Sequence, residues 1–213
     1  MNIYAKRLAK KLKIPLLGLL FCALCYATFL LTACREAKFE EMKSMPMIEE
    51  SQYSSYKVYT RQDFGYYFNY QKSFNSVQTK VPKNIQFLML DGSFREVDYF
   101  FFRKFNNWFK RVKFENGIMA IDQKENLDCD NFAMLYKSFM GVANYKSNLN
   151  QEPAVALVIV EQKHPFGGVP TGSLHMLNLV FASNGWYIFE PQTGEYIELH
   201  KYPNQEYIRI III

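Results

Sequence analysis

Cysteine is scarce in this chain, with four among 213 residues, at positions 22, 25, 34 and 129. Three of them crowd the N-terminal stretch and only Cys129 lies in the remainder, so an intrachain disulfide framework is excluded. Histidine is scarcer still, with three in all, His164, His175 and His200. Beyond the N-terminal segment no Cys-x-x-Cys or His-x-x-x-His spacing occurs, so the pairs from which zinc sites are usually built are missing. The chain shows no internal repeat. Its one low-complexity tract, the isoleucines at 210–213, is too short to span a bilayer and suits a last buried strand.

Acidic residues are absent from the first thirteen positions, which hold Lys6, Arg7, Lys10, Lys11 and Lys13. An uncharged, mostly apolar run follows over residues 14–33. A basic segment, an apolar segment and small residues before a boundary make a secretory leader, outside the fold. Its end, Leu31-Thr32-Ala33-Cys34, resembles the bacterial lipobox, which implies cleavage before Cys34 and acylation of that cysteine. Cys22 and Cys25 fit less well, because Phe21 and Leu24 stand where a small residue is wanted. The competing reading is an uncleaved anchor, since a run of this length approaches the ~20 residues of a membrane-spanning helix. Either reading places the folded part outside the cytoplasm, at the cell envelope. The leader carries five of the chain's 25 Lys and Arg and none of its 20 Asp and Glu. The remainder is therefore balanced. It has no basic stripe, and nucleic acid is not expected as a partner.

Residues 34–55 are polar, lack periodicity and read as a tether. Residues 56–213 are the right size for one domain. Residues 56–74 are rich in tyrosine and phenylalanine, suiting either a core or a substrate groove. Residues 81–90 form a short extended segment ending at the Asp91-Gly92 turn signal. Phe94, Val97, Phe101, Phe105, Trp108 and Val112 trace a helical face, with Arg103, Lys104, Lys110 and Lys113 largely off it. The four aromatics at 99–102 also permit a strand there. Downstream the period changes. Residues 154–160 form a β-branched strand, and a loop with Pro165, Gly167, Gly168, Pro170 and Gly172 follows. Residues 174–182 and 186–189 flank Asn184-Gly185, the strongest short hairpin signal. Helices followed by closely joined strands predict an α+β fold with an antiparallel sheet.

A lone thiol in an exported protein invites oxidation, so either burial or chemistry must account for Cys129. Residues 126–142 favour chemistry. Asp128 is a natural N-cap, and Phe132, Leu135, Phe139 and Val142 recur at helical spacing, with Gly141 a candidate terminator. Cys129 then occupies the first turn, where the helix dipole favours a thiolate. A cysteine nucleophile also needs a base and a group to orient that base. His175, on a predicted strand, is the leading candidate; His164 lies in a loop and His200 near the C-terminus. Glu190, at the end of the partner strand, is the candidate acid. With Asn184-Gly185 as the turn, however, His175 faces residue 194 and Glu190 falls about four positions short. Closing that gap calls for a bulge or a longer turn, and otherwise Gln192 or Glu195 takes the orienting role. A metal site on Cys129, His175 and Glu190 is the rival arrangement.

These residues resemble a known family. Leu127-Asp128-Cys129-Asp130-Asn131-Phe132-Ala133 is similar to the D-C-[DE]-x-[FY]-A motif of bacterial transglutaminase-like cysteine proteinases. Residues 173–178 resemble that family's histidine strand, and Phe189-Glu190-Pro191-Gln192-Thr193-Gly194 occupies the slot of its third member. That member is usually Asp; here it is Glu190. The similarity spans residues 127–196 and implies a papain/transglutaminase-like fold, with the cysteine helix packed on an antiparallel sheet. It also implies a Cys129–His175–Glu190 triad that needs no metal or cofactor.

The chemistry expected is attack of the Cys129 thiolate on an amide carbonyl of a peptide or protein, with His175 moving the proton and Glu190 orienting it. The Cys129 backbone N–H supplies one oxyanion donor, and Asn126, Gln123 and Trp108 are candidates for a second. Asp128 and Asp130 flank the thiolate and oppose its ionisation, or else bind a cation such as calcium. Three functions fit: a lipid-anchored thiol hydrolase, a catalytically silent relative that binds an envelope partner, and an acyl-transfer enzyme.

Overall fold

The structure, a computed structural model, describes residues 44–48, 56–64, 80–82, 85–116 and 128–213. Two compact units are distinguished, Met1–Met45 and Pro46–Ile213. The leader, Cys34 and most of the expected tether lie outside the described residues. Among the described residues no helix is long and apolar enough to cross a membrane.

The second unit is α+β. Its elements in chain order are β1 (Val58–Thr60), β2 (Gln86–Leu88), β3 (Ser93–Arg95), α1 (Tyr99–Glu115), α2 (Cys129–Lys146), β4 (Val155–Glu161), β5 (Leu174–Ala182), β6 (Gly185–Glu190), β7 (Glu195–Glu198) and β8 (Ile208–Ile212). Among the described residues, β1 and β3 form an antiparallel pair, and six strands form the main sheet in the order β2-β8-β4-β5-β6-β7. The sheet is mostly antiparallel; the exception is β2, which runs parallel to β8. The terminal isoleucines therefore lie inside the sheet, between β2 and β4.

Side chains of a strand alternate between faces, and both faces of this sheet are covered. Ala156, Val158, Leu177, Leu179, Phe181 and Ile188 pack with Tyr59, Phe64 and Phe94 into one core. Tyr59 and Phe64 are fully buried, so these two aromatics of the 56–74 segment are core. On the opposite face Phe189 meets Tyr136 of α2 at 4.3 Å between ring centroids and Phe109 of α1 at 6.4 Å. Asn178 donates to the Ala133 carbonyl, fastening β5 to the start of α2.

The helices differ from the sequence expectation in four respects. α1 begins only at Tyr99, because the Asp98 carboxylate accepts the Phe101 N–H and caps it. Phe94 and Val97 therefore precede the helix, with Phe94 in β3. Lys113 is buried on α1, not off its packed face. In α2 the buried stripe is Phe132, Ala133, Tyr136, Met140 and Ala143, with Leu135, Phe139 and Val142 only half-buried. The stripe is turned because Tyr136 must meet Phe189 while Phe139 reaches Trp108 at the flank. Gly141 does not end the helix, which runs on to Lys146. The chain turns at Asn148, whose φ of 56° is the left-handed value asparagine tolerates. Ile48, in the stretch read as a tether, donates its N–H to Ser147 Oγ at that end.

The β5–β6 turn also differs from the expected one. Ala182 pairs with Gly185, so Ser183-Asn184 make the turn and Gly185 is already strand. Neither turn residue has a positive φ, so this is not the Asn-Gly turn the sequence suggests. Tertiary hydrogen bonds override the local signal. Ser183 N–H donates to the Val97 carbonyl at 2.8 Å, and Ser183 Oγ accepts from Tyr99 N–H at 3.1 Å.

Phe181 tests this account of the core. It is fully buried against Tyr59, Phe64 and Trp186, with centroids 5.7, 4.9 and 4.8 Å away. Phe181→Ala is expected to lower the unfolding free energy by about 3–5 kcal/mol, read from the urea midpoint.

Candidate active site

Cys129 is the first residue of α2, as the capping pattern requires. Asp128 precedes it with extended backbone, and its carboxylate accepts the Asn131 N–H while Asn131 Oδ1 accepts the Asp128 N–H at 3.3 Å. The amide of Cys129 is among those the helix leaves without an intrahelical acceptor. The thiol is free and half-buried. Asp128 and Asp130 do not act as two independent anions beside it. Their side chains influence each other, which raises the Asp128 pKa above its ordinary value and lowers that of Asp130.

His175 lies in β5, opposite Val160 of β4. The revised turn decides its partner. One step beyond the last β5–β6 pair, Asn178 with Phe189, Glu190 stands level with Leu177, two residues from His175 and on the same face. Diagonal neighbours at that offset are within reach of long side chains. The Glu190 carboxylate accordingly meets His175 Nε2 at 2.5 Å. No bulge is needed between β5 and β6.

The ring and the carboxylate are both buried, Glu190 completely. Burial by itself pushes the imidazolium pKa down. Hydrogen bonds to Cys129 and Glu190, and the charges of both, outweigh it and raise His175 to about 9. With Nε2 engaged by Glu190, Nδ1 is the ring nitrogen left available to the Cys129 sulfur. Sulfur and carboxylate thus both act on one buried ring, the carboxylate through a direct hydrogen bond and the sulfur through its influence on the ring's protonation. This arrangement can hold a proton between sulfur and imidazole and stabilise the cationic ring.

Glu190 is held from three sides. Its other oxygen, Oε1, accepts the Gln192 N–H at 2.8 Å, and Gly194 N–H closes the turn onto the Glu190 carbonyl at 2.8 Å. Gly167 presses on it from the loop before β5. At φ +62° this residue has a left-handed backbone, and a Cβ there would stand 2.6 Å from Glu190 Cγ. From α1, Lys113 donates to the Pro191 carbonyl and, at 2.7 Å, to the Gln192 carbonyl. Burial pulls the Lys113 pKa down to about 8 against the opposing pull of the Glu190 charge.

The other candidates lie elsewhere. His200 Nε2 is 3.3 Å from Glu198, and the His164 backbone is tied to Asn204. Gln192 contributes its amide, not its side chain, and Glu195 is exposed on β7. Trp108 packs on Phe139, ten residues along α2 from Cys129, about 15 Å of helical rise. It is therefore not placed as an oxyanion donor. Asn126 and Gln123 lie outside the described residues. Glu190 engages His175 Nε2 directly, and among the described residues no group of three or more His, Cys, Asp or Glu is arranged to hold a metal. The sequence reading missed Gly167 and Lys113. The glycine cluster before β5 was visible, but nothing local linked it to Glu190, and a lysine in a basic helix gives no sign of burial.

No protein-family model matches the chain, and no curated protein matches it. Among solved structures it is similar to one described as "PSL1a-E64 complex", at 15% identity and a TM-score of 0.48, covering 73% of this chain and 50% of that one. The chain thus spans about half the length of that protein.

The raised pKa of His175 links stability to pH. A group whose pKa is higher folded than unfolded contributes fully below the unfolded value, ~6.5, and loses that contribution as pH rises through the folded value, about 9. The difference in unfolding free energy between wild type and His175→Gln is therefore expected to shrink by about 3 kcal/mol across that window. Urea titrations at successive pH values check it, and a difference independent of pH would contradict the assignment.

Proposed function

We propose that this chain is a thiol hydrolase of papain/transglutaminase-like fold that cleaves amide bonds in a peptide or protein. The observation that carries the reading is the buried His175–Glu190 pair, hydrogen-bonded through Nε2, whose ring is also influenced by Cys129 at the first turn of α2. A ring that keeps its proton up to about pH 9 is an imidazolium at neutral pH, and such a cation beside sulfur favours the nucleophilic thiolate.

The sulfur attacks the amide carbonyl carbon, and the carbonyl electrons move to oxygen. The Cys129 N–H, at the positive end of α2, donates to that oxyanion. Collapse of the tetrahedral intermediate breaks the C–N bond, and His175 delivers its proton to the departing amine. The neutral ring then takes a proton from water as the water oxygen attacks the thioester carbonyl, which releases the acid and restores the thiolate–imidazolium pair. Glu190 never leaves the ring. It fixes the ring's orientation and stabilises its cationic state.

The leader motif gives the setting. Acylation at Cys34 tethers the domain to the envelope membrane, facing away from the cytoplasm. The same thioester would pass its acyl group to an amine if one reached it before water. Incorporation of an added primary amine into product identifies that acyl-transfer chemistry.

An electrophilic peptide-mimic probe tests the reading. Wild type is expected to be labelled at mildly acidic pH, whereas an ordinary thiol waits for its pKa near ~8.5. Cys129→Ala abolishes labelling, and His175→Ala slows it by about 100-fold or more. Labelling unaffected by either substitution would refute the triad. An unreactive Cys129 in a folded protein would favour a binding role without catalysis.

A further inference from the structure

Lys113 is a buried charge that the Cys129–His175–Glu190 chain does not account for. It projects from α1 into the space where three elements meet. Its Nζ donates to the carbonyls of Pro191 and Gln192, just after β6. The same atom stands 5.2 Å from the ring centroids of Phe109, one turn back on α1, and of Phe132, in the turn of α2 that opens with Cys129.

The 190–194 turn rests on α1. Lys110, one turn before Lys113, packs its methylenes under Gly194, where a Cβ would stand 3.1 Å from Lys110 Cδ. Gly194 has a φ of +82°, and its N–H closes the turn on the Glu190 carbonyl. Within this turn the Gln192 residue faces two ways. Its carbonyl accepts from Lys113, and its N–H donates to Glu190 Oε1. An apolar side chain in place of Lys113 would leave two inward-facing carbonyls without this donor. It would also remove the cation near a carboxylate whose other charged neighbour is His175.

We propose that Lys113 is a positioning residue: it clasps the Pro191 and Gln192 carbonyls and so fixes the turn whose amide aims Glu190 at His175, while its charge offsets the burial of that carboxylate. The inference rests on the triad reading above. It assigns α1 a part in the site, although α1 supplies no group to the reacting atoms. Among the described residues, the ionisable groups that interact with the Glu190 carboxylate include His175 from β5, Lys113 from α1 and Tyr202 from the segment before β8.

The test is the pH profile of Cys129 alkylation by iodoacetamide, followed by mass spectrometry on the full chain. Wild type, Lys113→Met and Lys113→Arg are compared, with thermal melts run in parallel. Lys113→Met is expected to lose about tenfold or more of the rate near pH ~6, where only a paired thiolate reacts. It should keep its rate near pH ~9.5, where any thiol ionises. Lys113→Arg, which retains the charge and can donate to both carbonyls, is expected to stay within about threefold of wild type throughout.

A Lys113→Met profile that superimposes on wild type overturns the proposal, even if its melting temperature falls, because a purely structural lysine would do just that. Should Lys113→Met fail to fold, Lys113→Gln replaces it, with a loss of about threefold or more at the acidic end expected. If neither neutral variant folds, Lys113 is a folding residue and the proposal is overturned. A wild type without an acidic arm would instead defeat the triad reading, before any lysine variant is compared.

Discussion

The interaction on which the site depends is the buried contact between His175 Nε2 and the Glu190 carboxylate. Removing two charges from water costs several kcal/mol each unless geometry and further hydrogen bonds compensate. Here the compensation is visible atom by atom. One carboxylate oxygen faces the ring and the other accepts the Gln192 N–H. The remaining ring nitrogen is left to the sulfur, and Lys113 supplies a second positive charge nearby. Such a pair stays ionic only while every partner is in place, which explains why so much local structure converges on Glu190. Gly167 has no side chain because Glu190 occupies the space, and the turn after β6 folds back to present its own amide.

Successive residues of β6 join that pair to the rest of the fold. Phe189 points toward the helices, where Tyr136 of α2 lies against it at 4.3 Å. Glu190, the next residue, points the other way to His175. A single strand thus holds the cysteine helix with one side chain and orients the histidine with the next. Asn178 adds a second tie, from β5 to the Ala133 carbonyl, one helical turn beyond Cys129. The distance from sulfur to imidazole is therefore governed by packing across the sheet, with no contribution required from a mobile loop.

Much of this was legible from residue patterns. The β-branched run at 154–160, the alternation at 174–182 and the capped helix at 128 emerge as β4, β5 and α2, because local propensity, capping and burial agree there. Cys129, His175 and Glu190 could be named because a capped helix opens at Cys129 and the two other residues lie on strands that a hairpin sets side by side. The register was not legible. Asn184-Gly185 is a strong local turn signal, but two hydrogen bonds from the distant 97–99 segment capture Ser183 and move the turn by one residue. That shift halves the offset between His175 and Glu190. Lys113 was misplaced for a related reason. Periodicity ranks a lysine as solvent-facing, whereas two backbone carbonyls 78 and 79 residues away make its burial favourable. In both cases the deciding partners are remote in sequence.

The most direct measurement of the central interaction is the ¹⁵N NMR spectrum of the His175 imidazole. At neutral pH both ring nitrogens are expected to carry protons, with the ring titrating near pH 9, and Glu190→Gln should return the titration toward the ordinary histidine value of ~6.5. A His175 ring already neutral at pH 7, titrating in wild type as it does in Glu190→Gln, would contradict the account.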